Sequence, residues 1–199
     1  MNKPVFCIGL PKTGTTSLCE ALNSMGYHAL HNPEQFWNML HVGIYRYDSE
    51  PWDALCHFGF RQYRCLSNEY PDAYFILTIR DKHSWLDSCQ RQFTQVNIHG
   101  ITQELVRMEC FGTLVYDRGM FEDVYDAHNR NVLQFFSEIA ADHWLLMDVA
   151  DGWGELPEFL HCETPAMDFP HDHKSDQAIV CEFSNNDKIL VKRTVLWKA

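Results

Sequence analysis

The first apolar block, residues 5–8 (Val-Phe-Cys-Ile), has no polar alternation and closes at Gly9, which predicts a strand buried on both faces. Residues 11–16 read as a glycine-containing turn. Residues 17–25 then follow a helical period, with Leu18, Ala21 and Leu22 on one face and Gly26 as the stop. Helical spacing recurs over 33–40 (Phe36, Trp37, Leu40) and over 61–69, which Tyr70-Pro71 closes. Residues 52–56 read as a short strand. Residues 73–79 (Ala-Tyr-Phe-Ile-Leu-Thr-Ile) carry the clearest strand pattern in the chain. A helix over 84–96 follows, with Ser84 and Asp87 spaced as a capping box. Residues 120–141 predict a long amphipathic helix, 144–149 a strand, and Asp151-Gly152-Trp153 the start of a helix through Leu160. Two β-rich runs, 178–183 and 189–197, end the chain, and Ser184-Asn185-Asn186-Asp187 between them reads as a hairpin turn.

Apolar strands separated by helices predict an α/β fold: a three-layer α/β/α arrangement with a central parallel sheet, plus a short β-rich C-terminal tail. The length, 199 residues, suits a single domain. We assign it to residues 1–173, with 174–199 as an extension packed on it.

Composition narrows the function classes. Lys and Arg total 16 against 27 Asp and Glu, for a net charge of −11. Such a chain is not built to coat nucleic acid or an anionic membrane, since both need a basic face. No apolar stretch has the length of a membrane helix, and the run from Val5 to Leu10 is too short for a signal-peptide core. The eight cysteines include no CxxC pair and read as mostly buried free thiols of a cytoplasmic protein.

The candidate chemistry begins at Gly9-Leu10-Pro11-Lys12-Thr13-Gly14-Thr15-Thr16. A strand, a glycine loop and a helix N-terminus together present free N–H groups and a positive dipole end to an anion. The spacing from Gly9 to Gly14 matches a Walker loop, but Thr15 stands in the place of the Walker lysine and Lys12 lies inside the loop. The segment from Pro11 to Leu18 resembles the 5′-phosphosulfate loop of sulfotransferases that use 3′-phosphoadenosine 5′-phosphosulfate (PAPS). The resemblance implies a P-loop NTPase-like fold. It implies that Pro11, Lys12, Thr13, Gly14, Thr15 and Thr16 bind the donor, that the loop and the Thr15 and Thr16 hydroxyls hold its 5′-phosphate, and that Lys12 touches the oxygen bridging phosphate and sulfate. No metal is required if lysine and backbone donors stabilise the leaving group.

The match continues at residues 75–81, where a strand pattern ends in Arg80-Asp81 and Ser88 follows in the next helix. By resemblance, Arg80 and Ser88 hold the 3′-phosphate. Lys12, Arg80 and Lys82 would concentrate positive potential in an acidic chain. His57, after the short strand at 52–56, stands where cytosolic sulfotransferases carry their catalytic base. Asp53 is the carboxylate alternative. Tyr125, His128 and Asn129 share a helix face and resemble a Tyr-x-x-His-Asn pattern of bacterial-type relatives, where His128 would line an acceptor pocket or simply pack. Trp37, Trp52, Phe58, Phe60, Trp85 and Phe93 read as an aromatic acceptor cleft or as plain core. The chain departs from many cytosolic members in lacking their late glycine-rich 3′-phosphate loop, since its last glycine is Gly154.

The reading is a PAPS-dependent sulfotransferase releasing 3′,5′-ADP, with a small-molecule or glycan acceptor bearing a hydroxyl or amine. It has no nucleic-acid partner and no membrane insertion. The alternatives are a P-loop kinase of small molecules using ATP and magnesium, and a non-catalytic nucleotide-binding module.

Overall fold

A computed structural model of the chain describes residues 3–47, 51–94, 101–139, 142–170, 180–185 and 188–194. The chain divides into two compact units, Met1–Ile79 with Ala141–His173, and Arg80–Ala140 with Lys174–Ala199.

The first unit contains a five-stranded, all-parallel sheet. Its strands are β1 (Val5–Cys7), β2 (Ala29–His31), β3 (Ala54–Cys56), β4 (Tyr74–Ile79) and β5 (Trp144–Asp148), in the order β2-β3-β1-β4-β5. Helices α1 (Thr15–Ser24), α2 (Glu34–His41), α3 (Tyr63–Glu69) and α7 (Leu156–Phe159) belong to this unit. The pleat sends alternate residues of β1 to opposite faces. Val5 and Cys7 join Ala54, Cys56, Tyr74, Ile76, Leu145 and Met147 beneath Leu18, Ala21 and Leu22 of α1 and Leu156 of α7. Phe6 points the other way. Its ring stacks on Phe75 at 5.4 Å and meets Trp52 at 5.5 Å and Tyr70, which ends α3, at 5.3 Å. Phe36 of α2 closes over Trp52 and Tyr47. Each fully buried aromatic here contributes about 2–3 kcal/mol of transfer free energy. The sheet is thus covered on both faces, which is the three-layer α/β arrangement.

The second unit holds α4 (Lys82–Phe93), α5 (Ile101–Phe111), α6 (Arg118–Glu138) and the antiparallel pair β6 (Val180–Asn185) and β7 (Lys188–Thr194). Its core is aromatic. Phe111 stacks on Phe121 at 4.0 Å, and Trp85 packs on Tyr125 at 4.9 Å. Asp117 caps α6 by accepting from the Met120 N–H at 2.9 Å.

Several sequence expectations need correction. Helix α1 starts at Thr15, two residues before the expected Ser17, so Thr15 and Thr16 lie on its first turn. Helix α4 starts at Lys82 and is capped by Asp81, whose carboxylate accepts from the Ser84 N–H at 2.9 Å; Ser84 is therefore not the cap. Residues 151–160 do not form one helix, because a 3₁₀ turn (Val149–Asp151) precedes α7. Strand β2 and helix α5 were not expected. Five of the described cysteines are buried free thiols, but Cys65 is exposed and Cys162 half-buried. Two paired strands overlap the expected β runs, but Ser184 and Asn185, expected in the turn, belong to β6; Asn186 and Asp187, and the ends of the expected runs at 178–179 and 195–197, lie outside the described residues.

Candidate active site

The loop after β1 is fixed by close contacts to β4. The Ile8 N–H donates to the Ile76 carbonyl at 2.9 Å, which carries β1 pairing to the mouth of the loop. Gly9 passes so near β4 that a Cβ there would overlap the Thr78 hydroxyl and lie 2.7 Å from the Thr78 carbonyl oxygen. Thr13, almost fully buried, donates its hydroxyl to the Leu10 carbonyl at 2.7 Å and lies 2.6 Å from the Thr78 hydroxyl. Its N–H also turns back to Leu10, at 3.3 Å. Thr13 therefore braces the loop and offers no spare hydroxyl proton to a ligand. Gly14 sits at φ 93° as the N-cap of α1, and a Cβ there would overlap the Val149 side chain.

What the loop leaves open is equally specific. Among the described residues no side chain caps α1, and its first turn carries no acidic residue, so nothing there compensates the N–H groups and the positive dipole end. Lys12 is half-buried, adopts φ 71°, and makes no ion pair among the described residues. Thr15 is buried and Thr16 exposed at the head of the helix.

Two histidines flank this turn. His57 follows β3 directly, with φ 54°. His31 is the last residue of β2, and its Nε2 lies 3.2 Å from the Thr15 hydroxyl and 3.4 Å from the Thr16 hydroxyl. The imidazoles meet edge to face, with centroids 5.3 Å apart. Burial, then His31, then the Lys12 charge push His57 down to about 3, so it is neutral at physiological pH. His31 keeps an exposed edge, yet the desolvation of its ring also holds it below the ordinary imidazole value. Asn32 (φ 51°) fixes the turn beyond His31. Its N–H donates to the Cys56 carbonyl at 2.8 Å, and its Oδ1 accepts from Trp37 Nε1 at 3.0 Å. Lys12, Asn32 and His57 thus place non-glycine residues in the left-handed region after three different strands. Each costs about 1–2 kcal/mol, which the packing beneath must offset.

The structure does not bring Asp53 to this edge. Asp53 precedes β3, at the opposite end of the sheet, where its carboxylate accepts from the His28 N–H at 2.8 Å. Of the two expected bases, only His57 stands beside the loop. His31 was missed because β2 has only three residues and no period to detect. The available signal was a histidine after the apolar pair Ala29-Leu30 and before Asn32-Pro33, a strand end followed by a helix start.

Arg80 and Ser88 belong to the second unit. Arg80 is the first residue after β4, its guanidinium has no partner among the described residues, and its carbonyl accepts from the Tyr125 hydroxyl. Ser88 is buried on α4. Lys82 does not add free positive charge, since it pairs with Asp126 at 2.8 Å. Tyr125, His128 and Asn129 are all buried on α6. Tyr125 orients the backbone at Arg80, and the Asn129 amide nitrogen has no partner among the described residues. Of the aromatics read as an acceptor cleft or as core, Trp37, Phe58, Phe60 and Trp85 are fully buried and Phe93 is buried, whereas Trp52 is half-buried; Phe60 walls the His57 ring, with centroids 6.0 Å apart. Among the described residues no three potential ligands group to hold a metal, and no helix is long and apolar enough to cross a membrane.

The strand order puts β1 beside β4. From β1 the chain crosses to β2 on one side; from β4 it proceeds to β5 on the other. Such a switch point opens a crevice at the carboxyl ends of the strands, and the glycine loop after β1 lies there. These features define an α/β protein of P-loop-like fold. The family model of the sulfotransferase domain matches this chain over residues 4–62 and 47–178, and the chain belongs to that family. It is also similar to the Ava biosynthesis cluster protein M of Aspergillus versicolor, 23% identical over an alignment covering 98% of this chain and 86% of that protein.

Proposed function

We propose that this protein transfers a sulfuryl group from PAPS to a hydroxyl or amine acceptor, with residues 1–173 as the catalytic domain. The observation that carries the reading is the turn after β1, where a helix N-terminus with no side-chain cap and no acid in its first turn, a left-handed lysine with no ion pair among the described residues, and a neutral histidine converge.

The 5′-phosphate accepts from the free N–H groups of the first turn of α1 and from the Thr15 and Thr16 hydroxyls. Arg80 supplies a charge-assisted fork to the 3′-phosphate and Ser88 a hydroxyl. The acceptor oxygen or nitrogen attacks sulfur in line. A new bond from sulfur to the acceptor forms, and the bond from sulfur to the bridging oxygen breaks. The electron pair of that bond stays on 3′,5′-ADP, where Lys12 stabilises the growing charge. His57 takes the acceptor proton. Its basicity in the free protein is depressed first by burial, then by His31 and last by the Lys12 charge, and the donor's phosphates would offset that last contribution.

The test is transfer of ³⁵S from labelled PAPS to a panel of phenols, alcohols, amines and sugars, with EDTA present. Labelled product together with released 3′,5′-ADP is expected from the wild type, and little from Lys12→Ala. Phosphate transfer from ATP that needs magnesium would establish the kinase reading instead. Nucleotide binding without transfer to any acceptor would support a non-catalytic module.

A further inference from the structure

His31 comes from a different strand than the loop, yet its Nε2 reaches both hydroxyls at the head of α1, at 3.2 Å and 3.4 Å. The same ring packs edge to face on His57. Its position is held from behind by the bonds of Asn32 to Cys56 and Trp37. A ring fixed in this way is a poor choice for mere surface filling.

The hydroxyl chemistry is decided by which partner donates. A threonine hydroxyl has one proton and two acceptor lone pairs. If Nε2 accepts from the hydroxyl, that proton points away from a ligand and a lone pair faces it, which repels an anion. If Nε2 carries a proton and donates to the hydroxyl oxygen, the hydroxyl proton is free to point outward. A phosphate at the loop therefore selects the Nε2–H form of His31. One imidazole proton then sets the polarity of the neighbouring threonines.

We propose that His31 is a positioning residue of the anion site, donating from Nε2 so that the Thr15 and Thr16 hydroxyls present their protons to a bound phosphate. The proposal rests on the loop being a phosphate site and adds to it a residue from β2. His31 acts through the threonines, whereas His57 contacts the reacting atoms.

Gln carries an amide N–H₂ group at about the reach of Nε2, whereas Ala carries no donor, so the pair separates donation from packing. Calorimetric titration with 3′,5′-ADP and separately with inorganic pyrophosphate, both with EDTA, tests the proposal. His31→Ala is expected to weaken binding of both ligands about tenfold, and His31→Gln to recover most of that loss. Adding His31→Ala to a Thr15→Val/Thr16→Ala background should then cost almost nothing further, because the hydroxyls it orients are gone. Should His31→Ala fold poorly, the Gln variant and the threonine background carry the same test. Equal losses for Ala and Gln, or additive losses with the threonine changes, would overturn the proposal while leaving the donor site intact. Wild-type binding of pyrophosphate that depends on His31, without binding of 3′,5′-ADP, would retain the positioning role and reject the PAPS reading. Failure of the wild type to bind either ligand would reject both.

Discussion

At the N-terminal edge of the sheet the polar groups answer one another. The Asp53 carboxylate accepts from the His28 N–H at 2.8 Å, and its carbonyl accepts from the Val5 N–H at 2.9 Å. At the carboxyl edge the same strands end in groups left open: an uncapped helix, a Lys12 with no ion pair among the described residues, a neutral His57 and a His31 whose basicity desolvation lowers. The backbone there is strained as well, with left-handed Lys12, Asn32 and His57. Satisfied hydrogen bonds at one edge stabilise the fold. Unsatisfied and strained groups at the other oppose folding and persist because the core beneath over-determines them. The contrast teaches that a titratable residue near a strand is judged by which end of the strand it occupies.

The comparison breaks most easily at Lys12. Lys12→Ala should slow sulfuryl transfer about 10²- to 10³-fold, with thermal stability unchanged and 3′,5′-ADP affinity altered far less. A parallel drop in stability would make the lysine structural. Next comes Gly14→Ala, which combines a left-handed penalty with overlap on Val149 and should destabilise by about 3 kcal/mol in urea unfolding. Adding Val149→Ala should return part of that loss, and no recovery would mean that the overlap is irrelevant.

His57→Gln should lower kcat about 10²-fold while leaving donor affinity within about threefold. The same substitution sharpens a pH argument. The folded His57 imidazole, at about 3, lies below its ordinary value of 6.5, so between those values the unfolded chain binds more protons. His57 therefore imposes no penalty above about pH 6.5 and destabilises progressively as pH falls toward 3. His31 is shifted in the same direction. The melting temperature of His57→Gln should fall less steeply than that of the wild type between pH 7 and pH 5, and equal slopes would contradict the assignment. The smallest effect belongs to Asp53→Ala, which should cost about 1 kcal/mol of stability and leave transfer within twofold of wild type.

The β1 strand and its loop were legible because a buried parallel strand is an unbroken apolar run and the turn after it needs its glycines. β4 was legible for the first reason, and Arg80 by its place at the strand end. His57 was legible by the same logic, but its advantage over Asp53 was not. Sequence distance separates those two residues by little, whereas the length of β3 puts them at opposite edges. His31 stayed hidden because the three residues of β2 give no periodicity, and strand pairing to β3 through Asn32 is a tertiary fact. The cap of α4 was misplaced although Asp81 stands at the start of the helix. Ser84 offered an equally good local pattern, and only the hydrogen bond distinguishes them. The aromatic residues read as a possible cleft because burial, not identity, separates core from lining.

The central claim is that the carboxyl edge holds the phosphosulfate donor, with its 3′-phosphate on Arg80. Calorimetric titration of 3′,5′-ADP with EDTA present, repeated with Arg80→Ala, tests it most directly. The account predicts micromolar binding that needs no metal and weakens at least tenfold in the Arg80 variant. No binding of 3′,5′-ADP, together with binding of ATP and magnesium, would contradict it.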